Sequence, residues 1–475
     1  IKLEEKYDVL IPTEAFQSCV CVNDVVKLLY GIIHGIEEKP RAKVGPKAIV
    51  RFEDTPEYKA FLERRKDIDK LEHDPYFVCH ESPLTDVSLM DGREVLNFGS
   101  YNYVCMSGRP ETEDAAIAAI RKYGTSASGS RLLAGEKKIH EELEAAIAGW
   151  KHSEAALVLV GGHSTNVTLV GNFCGKNDLI IYDAIDHNSI AEGCRLSQAA
   201  AKPFPHNDME ALEGILKTQR RRFEKVLIVV EGVYSMDGDI APIPKLVELK
   251  KRYGCFLMVD EAHSACVLGK TGGGVDEYFG LQPDDIDIKM GTLSKGLGTC
   301  GGYIAGRKCL IDYLRYSLPG FVFSVGISPA LAAASLEAIR LLQTRPEILE
   351  DLNRNIRVFV DEAHKRNLNT CLAGKTAIIP ILVGSDDDTF ALSVELGNRG
   401  VFVPPAVYPA VPRGKARLRY CVTSGHKPEQ IVKALDILVE TARDMGIALP
   451  PMENAEQVLS VSVGAGAARQ SRRQR

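Results

Sequence analysis

Residues 255–306 read CFLMVDEAHSACVLGKTGGGVDEYFGLQPDDIDIKMGTLSKGLGTCGGYIAG. CFLMVDEA and IDIKMGT are strand-sized runs rich in apolar residues, separated by an amphipathic segment. Three more such runs lie upstream, AALVLV from Ala155, LIIYDA from Leu179 and KVLIVVEGV from Lys225, again with amphipathic segments between them. Alternation of this kind implies an α/β fold with a mostly parallel sheet.

The same stretch carries chemistry. Lys295 offers an amine that can hold an aldehyde, Asp260 a carboxylate that can keep a ring nitrogen protonated, and His263 an imidazole beside it. A lysine Schiff base paired with an Asp on the pyridinium nitrogen is what lets pyridoxal 5'-phosphate (PLP) act as an electron sink. A lysine among glycines is more often a solvated surface amine, and VDEAH by itself can be an ordinary strand end. The order and spacing of the two signals, which suit a single site, outweigh both of those readings.

At 475 residues the chain exceeds what one core usually holds, so more than one folding unit is expected. A net charge of −5 gives no general attraction to nucleic acid or anionic lipid. Apolar runs such as VLIVV at Val226–Val230 fall far short of the ~20 residues of a membrane span. Twelve cysteines without paired zinc-type spacings, Cys19 and Cys21 included, read as reduced thiols in a cytoplasmic compartment, with no metal site. The chain opens on Ile1 within a helical pattern, so residues are expected to precede it and targeting is left open.

Five segments are expected along the chain. Residues 1–38, with LEEKYDVLIP and VNDVVKLLYGII at helical spacing, are similar to the second half of an acyl carrier protein, a pattern that any two amphipathic helices can also give. Residues 39–74 read as a charged linker with a helical arm, EYKAFLERRKDIDKLE. A large domain is expected over 75–320 and a smaller α+β domain over 321–446, the latter with a helix at SPALAAASLEAIRLLQ and strands at AIIPILVG, VFVPPAVYP and ARLRYCVTS. Residues 447–475, Gly/Ala-rich and basic toward GAGAARQSRRQR, are expected to be a disordered tail.

Further candidates fall where open α/β sheets bind ligands, at the carboxyl ends of the strands. Gly161 and Gly162 of VGGHSTN either let a helix start approach a phosphate or form a plain turn. His187, after a strand, either lies against a planar ring or is a satisfied surface residue. Ser235 ends a strand before a tight turn, and the hydroxyls of Thr292 and Ser294 flank Lys295 within reach of a phosphate.

YNYV from Tyr101, YGTSASGSRLLAGEKKIHEELE, DHNSI, HNDMEALE, VEGVYSMDGDIAPI, VDEAHSACVLGKTGGGV, GTLSKGLGTCGGYIAG and ARLRYCVTSGH together resemble the α-oxoamine synthases, over roughly residues 75–445. That family of fold-type I PLP-dependent transferases includes serine palmitoyltransferase and 8-amino-7-oxononanoate synthase. The resemblance implies a homodimer that performs a decarboxylating Claisen condensation of an amino acid with an acyl thioester. It further implies that Lys295 carries the cofactor and removes the α-proton, Asp260 holds the pyridinium proton and His263 the phenolic oxygen. By the same resemblance His187 stacks on the ring, Ser235 contacts the cofactor, Gly162, His163, Thr292 and Ser294 serve the phosphate, and Asn102 and Arg419 meet the substrate carboxylate. The chain departs from the pattern at His163, where many relatives have an aromatic, and at Asp186, where Asn is usual. It departs again at FSVGISP, where Ser324 is the remaining hydroxyl for a partner subunit's phosphate.

The carrier-like start points to a donor tethered to acyl carrier protein, as in the carrier-fused oxoamine synthases of polyketide assembly lines that the arrangement resembles, the saxitoxin starter synthase among them. The alternatives are a coenzyme A-dependent enzyme similar to serine palmitoyltransferase or 8-amino-7-oxononanoate synthase, and a catalytically idle interaction subunit, against which Lys295 argues.

Overall fold

The computed structural model describes residues 51–71 and 74–452. The carrier-like segment expected at 1–38, residues 39–50, 72 and 73 of the expected linker and arm, and residues 453–475 of the expected tail lie outside the described residues. Two compact units divide the chain, Ile1–Lys66 and Asp67–Arg475. In the first, a helix begins at Pro56, where Thr55 Oγ1 accepts from the Tyr58 N–H at 3.2 Å as an N-cap.

The second unit opens with strands β1 (Val87–Met90) and β2 (Arg93–Asn97), a hairpin that turns through Asp91 and Gly92, both at positive φ. An Asp-Gly pair favours this two-residue turn, because both central residues must enter the left-handed region. A seven-stranded sheet follows, from β3 (Ala155–Leu159), β4 (Leu179–Asp183), β5 (Ala200–Phe204), β6 (Val226–Glu231), β7 (Phe256–Asp260), β8 (Ile288–Thr292) and β9 (Gly302–Gly306). Its order is β3-β9-β8-β7-β6-β4-β5, and only β9 runs against its neighbours.

All six residues of β6 are buried. Ile228 and Val230 belong to one apolar cluster, Leu227 and Val229 to a second on the other face. A strand covered on both faces has no polar side to show, which is why its sequence is a continuous apolar run. The helices between strands bury one stripe each. In Ile243–Tyr253 the buried residues are Ile243, Leu246, Val247, Leu249 and Lys250, and Gly254 ends the helix in the left-handed region.

After β9, helices Pro329–Thr344 and Glu347–Lys365 lead to β10 (Ile378–Gly384), β11 (Val401–Phe402), β12 (Pro405–Ala406) and β13 (Ala416–Cys421). β10, β13 and β12 form an antiparallel sheet, while β11 pairs in parallel with β2, so the small sheets draw on both ends of the described chain. Residues 447–451 are part of the body. Ile447 and Leu449 pack on the main core and Asn369 Nδ2 donates to the Pro451 carbonyl at 3.1 Å, so the expected tail does not start at 447. Among the described residues no helix is long and apolar enough to cross a membrane.

Candidate active site

The carboxyl ends of β3, β4, β6, β7 and β8 converge, because those strands are parallel and each hands its last residues to a loop on the same edge of the sheet. β7 delivers Asp260 and then His263, β8 delivers Thr292 and then Ser294 and Lys295, and β4 leads to His187.

Lys295 Nζ lies 2.7 Å from Nε2 of His263, and Nδ1 of that ring lies 2.7 Å from the Tyr103 hydroxyl. Burial pulls the Lys295 amine down to about 8, against the opposing pull of Asp260 and Glu231. A lysine so desolvated is a nucleophile near neutral pH. Burial, with Lys295 and Arg419 nearby, also pushes His263 well below the usual imidazole range, so the ring is neutral.

Asp260 is held from two directions. Oδ1 accepts from the Ala262 N–H at 2.9 Å and Oδ2 from Asn166 Nδ2 at 2.6 Å. Asn166 Nδ2 also donates to Ser189 Oγ at 2.9 Å, and Ser189 Oγ stands 2.7 Å from Nδ1 of His187. One amide therefore fixes both the carboxylate and, through Ser189, the histidine that caps helix Asn188–Leu196. Asn166 was not singled out in the sequence, although it lies one helical turn beyond Gly162 and so on the same face.

Helix Gly162–Phe173 starts after β3. A Cβ on Gly162 would lie 2.7 Å from Thr292 Oγ1, so a side chain there would fill the gap between the helix start and β8. Thr292 Oγ1 in turn lies 2.7 Å from Ser294 Oγ. Free N–H groups at a helix start beside two hydroxyls suit a phosphate. His163 is exposed at the same turn, with its ring centroid 6.2 Å from that of His187.

Arg419, on β13, is buried and has no carboxylate partner among the described residues; its Nε donates to the Ser235 carbonyl at 2.6 Å. The Tyr101 ring lies 4.9 Å from its guanidinium and 5.7 Å from Lys295 Nζ. An unpaired buried guanidinium beside a nucleophilic amine is a receptor for a carboxylate carried next to an amino group.

Three expected residues make other contacts within the chain. Asn102 Nδ2 donates to Leu84 O at 3.0 Å and Ser107 O at 2.9 Å, and Oδ1 accepts from Ser107 N at 3.1 Å. Within the chain the amide closes the loop that carries Tyr101 and Tyr103. Ser235 takes part through its carbonyl, which accepts from Arg419 Nε; its hydroxyl has no hydrogen bond among the described residues. The Ser324 hydroxyl bonds to none of these residues within the chain; its segment pairs through Val325 with Ser130.

Two further acids stand behind Asp260. Glu231, its partner across β6 and β7, is pushed to about 8 by burial and by Asp260. Burial, with Asp183 and Glu231, pushes Asp186 well above the usual carboxylate range. A neutral acid at 186 carries one donor and one acceptor, which explains how Asp serves where the related pattern has an amide.

The donor set fits PLP: an amine for the aldehyde, a supported carboxylate for the ring nitrogen, an imidazole near each, and a helix start with hydroxyls for the phosphate. Comparison with known proteins agrees. A family model for aminotransferase class I and II matches residues 93–438. The 8-amino-7-oxononanoate synthase of Treponema denticola is 40% identical over 370 residues, covering 78% of this chain and 93% of the relative. That of Bacillus subtilis is 40% identical over 353 residues, covering 74% and 89%. Among solved structures, the Sphingomonas wittichii serine palmitoyltransferase superposes with a TM-score of 0.79 at 31% identity, covering 82% of this chain and 98% of the other. A serine palmitoyltransferase solved as its PLP internal aldimine gives the same TM-score at 30% identity over the same shares. The chain belongs to the aminotransferase class I and II family and, within it, to the α-oxoamine synthases; it is a PLP-dependent acyltransferase.

Proposed function

We propose that this acyltransferase joins the α-carbon of an amino acid to the acyl group of a thioester, consuming one proton, releasing carbon dioxide and a free thiol, and leaving an α-amino ketone. The observation that carries the reading is the pairing of Arg419, buried without a carboxylate partner among the described residues, with the Lys295 amine across the Tyr101 ring. Both names among the relatives fit it, one a synthase of an amino ketone, the other a transferase of palmitoyl to serine.

When bound, PLP supplies the electron sink for the α-carbon. Lys295 would hold the aldehyde, and its amine would take the α-proton. Asp260, supported by Asn166 and the Ala262 N–H, keeps the ring-nitrogen proton in place. Arg419 would receive the substrate carboxylate, and His263 would serve the phenolic oxygen. The test is absorbance of the loaded enzyme against each of the twenty amino acids, with α-proton exchange as a second readout. A saturable change with one or a few of them, lost in Arg419→Gln, is expected; no change with any would overturn the reading.

The coenzyme A thioester is the donor that the relatives favour, since the alignments cover residues matching free-standing synthases nearly end to end. Similarity of residues 1–38 to a carrier domain supports a second reading, in which the donor arrives on an acyl carrier protein of a saxitoxin-like or other polyketide assembly line. The kcat/KM ratio for the two donors with one acyl chain decides: a preference of ~100-fold for coenzyme A, about 2.7 kcal/mol, removes the carrier reading.

A homodimer is part of the proposal. Leu133 and Phe323 are 84% and 86% exposed, and Leu132 and Val325 lie beside them on two segments joined at Ser130 and Val325. An apolar face of this kind is what a second copy covers, and it would bring Ser324 to the partner's site.

A further inference from the structure

Tyr103 is fully buried, with its hydroxyl 2.7 Å from Nδ1 of His263, whose Nε2 is 2.7 Å from Lys295 Nζ. Three groups in a row can carry their protons in more than one order. The phenol settles it. Tyr103 is buried, and a buried hydroxyl places its one hydrogen on an acceptor. The acceptor within hydrogen-bond distance is Nδ1 of His263, so that hydrogen is directed at the ring. Burial keeps the phenol protonated, and burial with its cationic neighbours keeps the imidazole neutral. Nδ1 is then an acceptor, and the single ring proton sits on Nε2.

We propose that Tyr103 is a positioning residue that fixes His263 as the Nε2–H tautomer, so that the imidazole presents a donor to Lys295 and to the cofactor's phenolic oxygen. The proposal rests on Lys295 being the amine that holds the cofactor. Its consequence is a bias on that amine. An Nε2 lone pair would accept from the ammonium and hold it charged, whereas Nε2–H can be accepted only by the lone pair of the neutral amine. The other groups facing the pair are Asp260 and Glu231, which favour the charged amine, Arg419 and His187, which disfavour a charged imidazole, and the Cys421 thiol. His263 Nδ1 receives its hydrogen bond from Tyr103.

The test variant is Tyr103→Phe, which removes only the hydroxyl. In cofactor-free full-length protein, capture of PLP by Lys295 is trapped with borohydride as a function of pH. The midpoint is expected to move up by about one unit, a tenfold loss of capture at fixed pH below it. In the His263→Asn background the same substitution is expected to move it no further. An unmoved midpoint, or the same shift with and without His263, overturns the proposal, since a merely structural role alters the melting temperature and not the titration. Wild-type protein carrying 15N-histidine gives a variant-free readout: Nδ1 of His263 is expected at the shift of an unprotonated nitrogen, and a proton found there overturns the tautomer. Capture that persists in Lys295→Ala is a separate failure, that of the cofactor assignment itself.

Discussion

Lys151, fully buried, and Lys295, half-buried, are amines near the end of β7, one beside Glu261 and the other near Asp260, consecutive acids in one motif. Lys151 is ion-paired with Glu261 and lies 3.3 Å from Asp276 Oδ1, while Lys289 Nζ lies 2.8 Å from Asp276 Oδ2. Lys295 has no carboxylate at ion-pair distance among the described residues, only the imidazole of His263. Burial drives both toward the neutral form. At Lys151 the attraction of Glu261 and Asp276 outweighs it and the amine is held charged; at Lys295 burial prevails and the value falls to about 8. The difference separates an amine used for structure from one used for chemistry. The paired cluster fixes a loop: Lys151 also donates to the Gly273 carbonyl, Glu261 Oε1 accepts from Val275 N at 2.9 Å, and Trp150 Nε1 donates to Thr271 O at 3.0 Å.

The largest effect that could break the comparison is at Lys295 itself. Lys295→Ala is expected to abolish turnover and the borohydride-reducible adduct, while keeping a cooperative urea-unfolding transition, because no ion pair is lost. An adduct retained in the variant would place the chemistry on another amine. Next is Asp260→Asn, which is expected to bind cofactor yet lose exchange of the substrate α-proton into deuterated solvent by several orders of magnitude, since an amide cannot hold the ring-nitrogen proton. Near-normal exchange would remove Asp260 from that part.

Asp276→Ala tests the other side. It leaves Lys289 and part of Lys151 buried without their counter-charge, a loss of about 3–5 kcal/mol in urea unfolding. Turnover per folded molecule is expected to stay within a few-fold of wild type. A stable variant with lost turnover would show that the paired cluster belongs to the site after all.

How far the sequence could be read follows the same division. β6, β7 and β8 are legible because they are buried on both faces, and Asp260, His263 and Lys295 because each ends such a strand or follows one within a few residues. β5 was not legible: four of its five residues, AAKPF, are exposed, and Pro203 marks an edge strand. β9, GYIAG, runs antiparallel and is built of small residues, so it carries little periodic signal. In the site, Asn166 meets Asp260 from 94 residues away and Tyr103 meets His263 from 160. Partners that distant share no local spacing, and only the convergence of the strand ends identifies them. Asn102 shows the converse: its neighbours in sequence are in the site, while within the chain its own amide bonds to its loop.

The smallest effect is the pH dependence of stability, and here the two amines should differ in sign. Lys295 has a folded value of about 8, below the ~10.4 of an unfolded lysine. Between those values the unfolded chain binds a proton that the folded chain lacks, so this group makes stability rise with pH. Lys151 is raised by its acids once they outweigh burial. Its contribution is fully present below ~10.4 and is lost only as the pH climbs through its higher folded value. Lys295→Met removes the first contribution and leaves the second. Its stability relative to wild type, from urea unfolding between about pH 7 and pH 10, is therefore expected to be most favourable at the low end and to shrink toward the high end. A difference that stays constant over that range would mean that Lys295 is charged in the folded chain like Lys151, and the distinction between the two amines would fall.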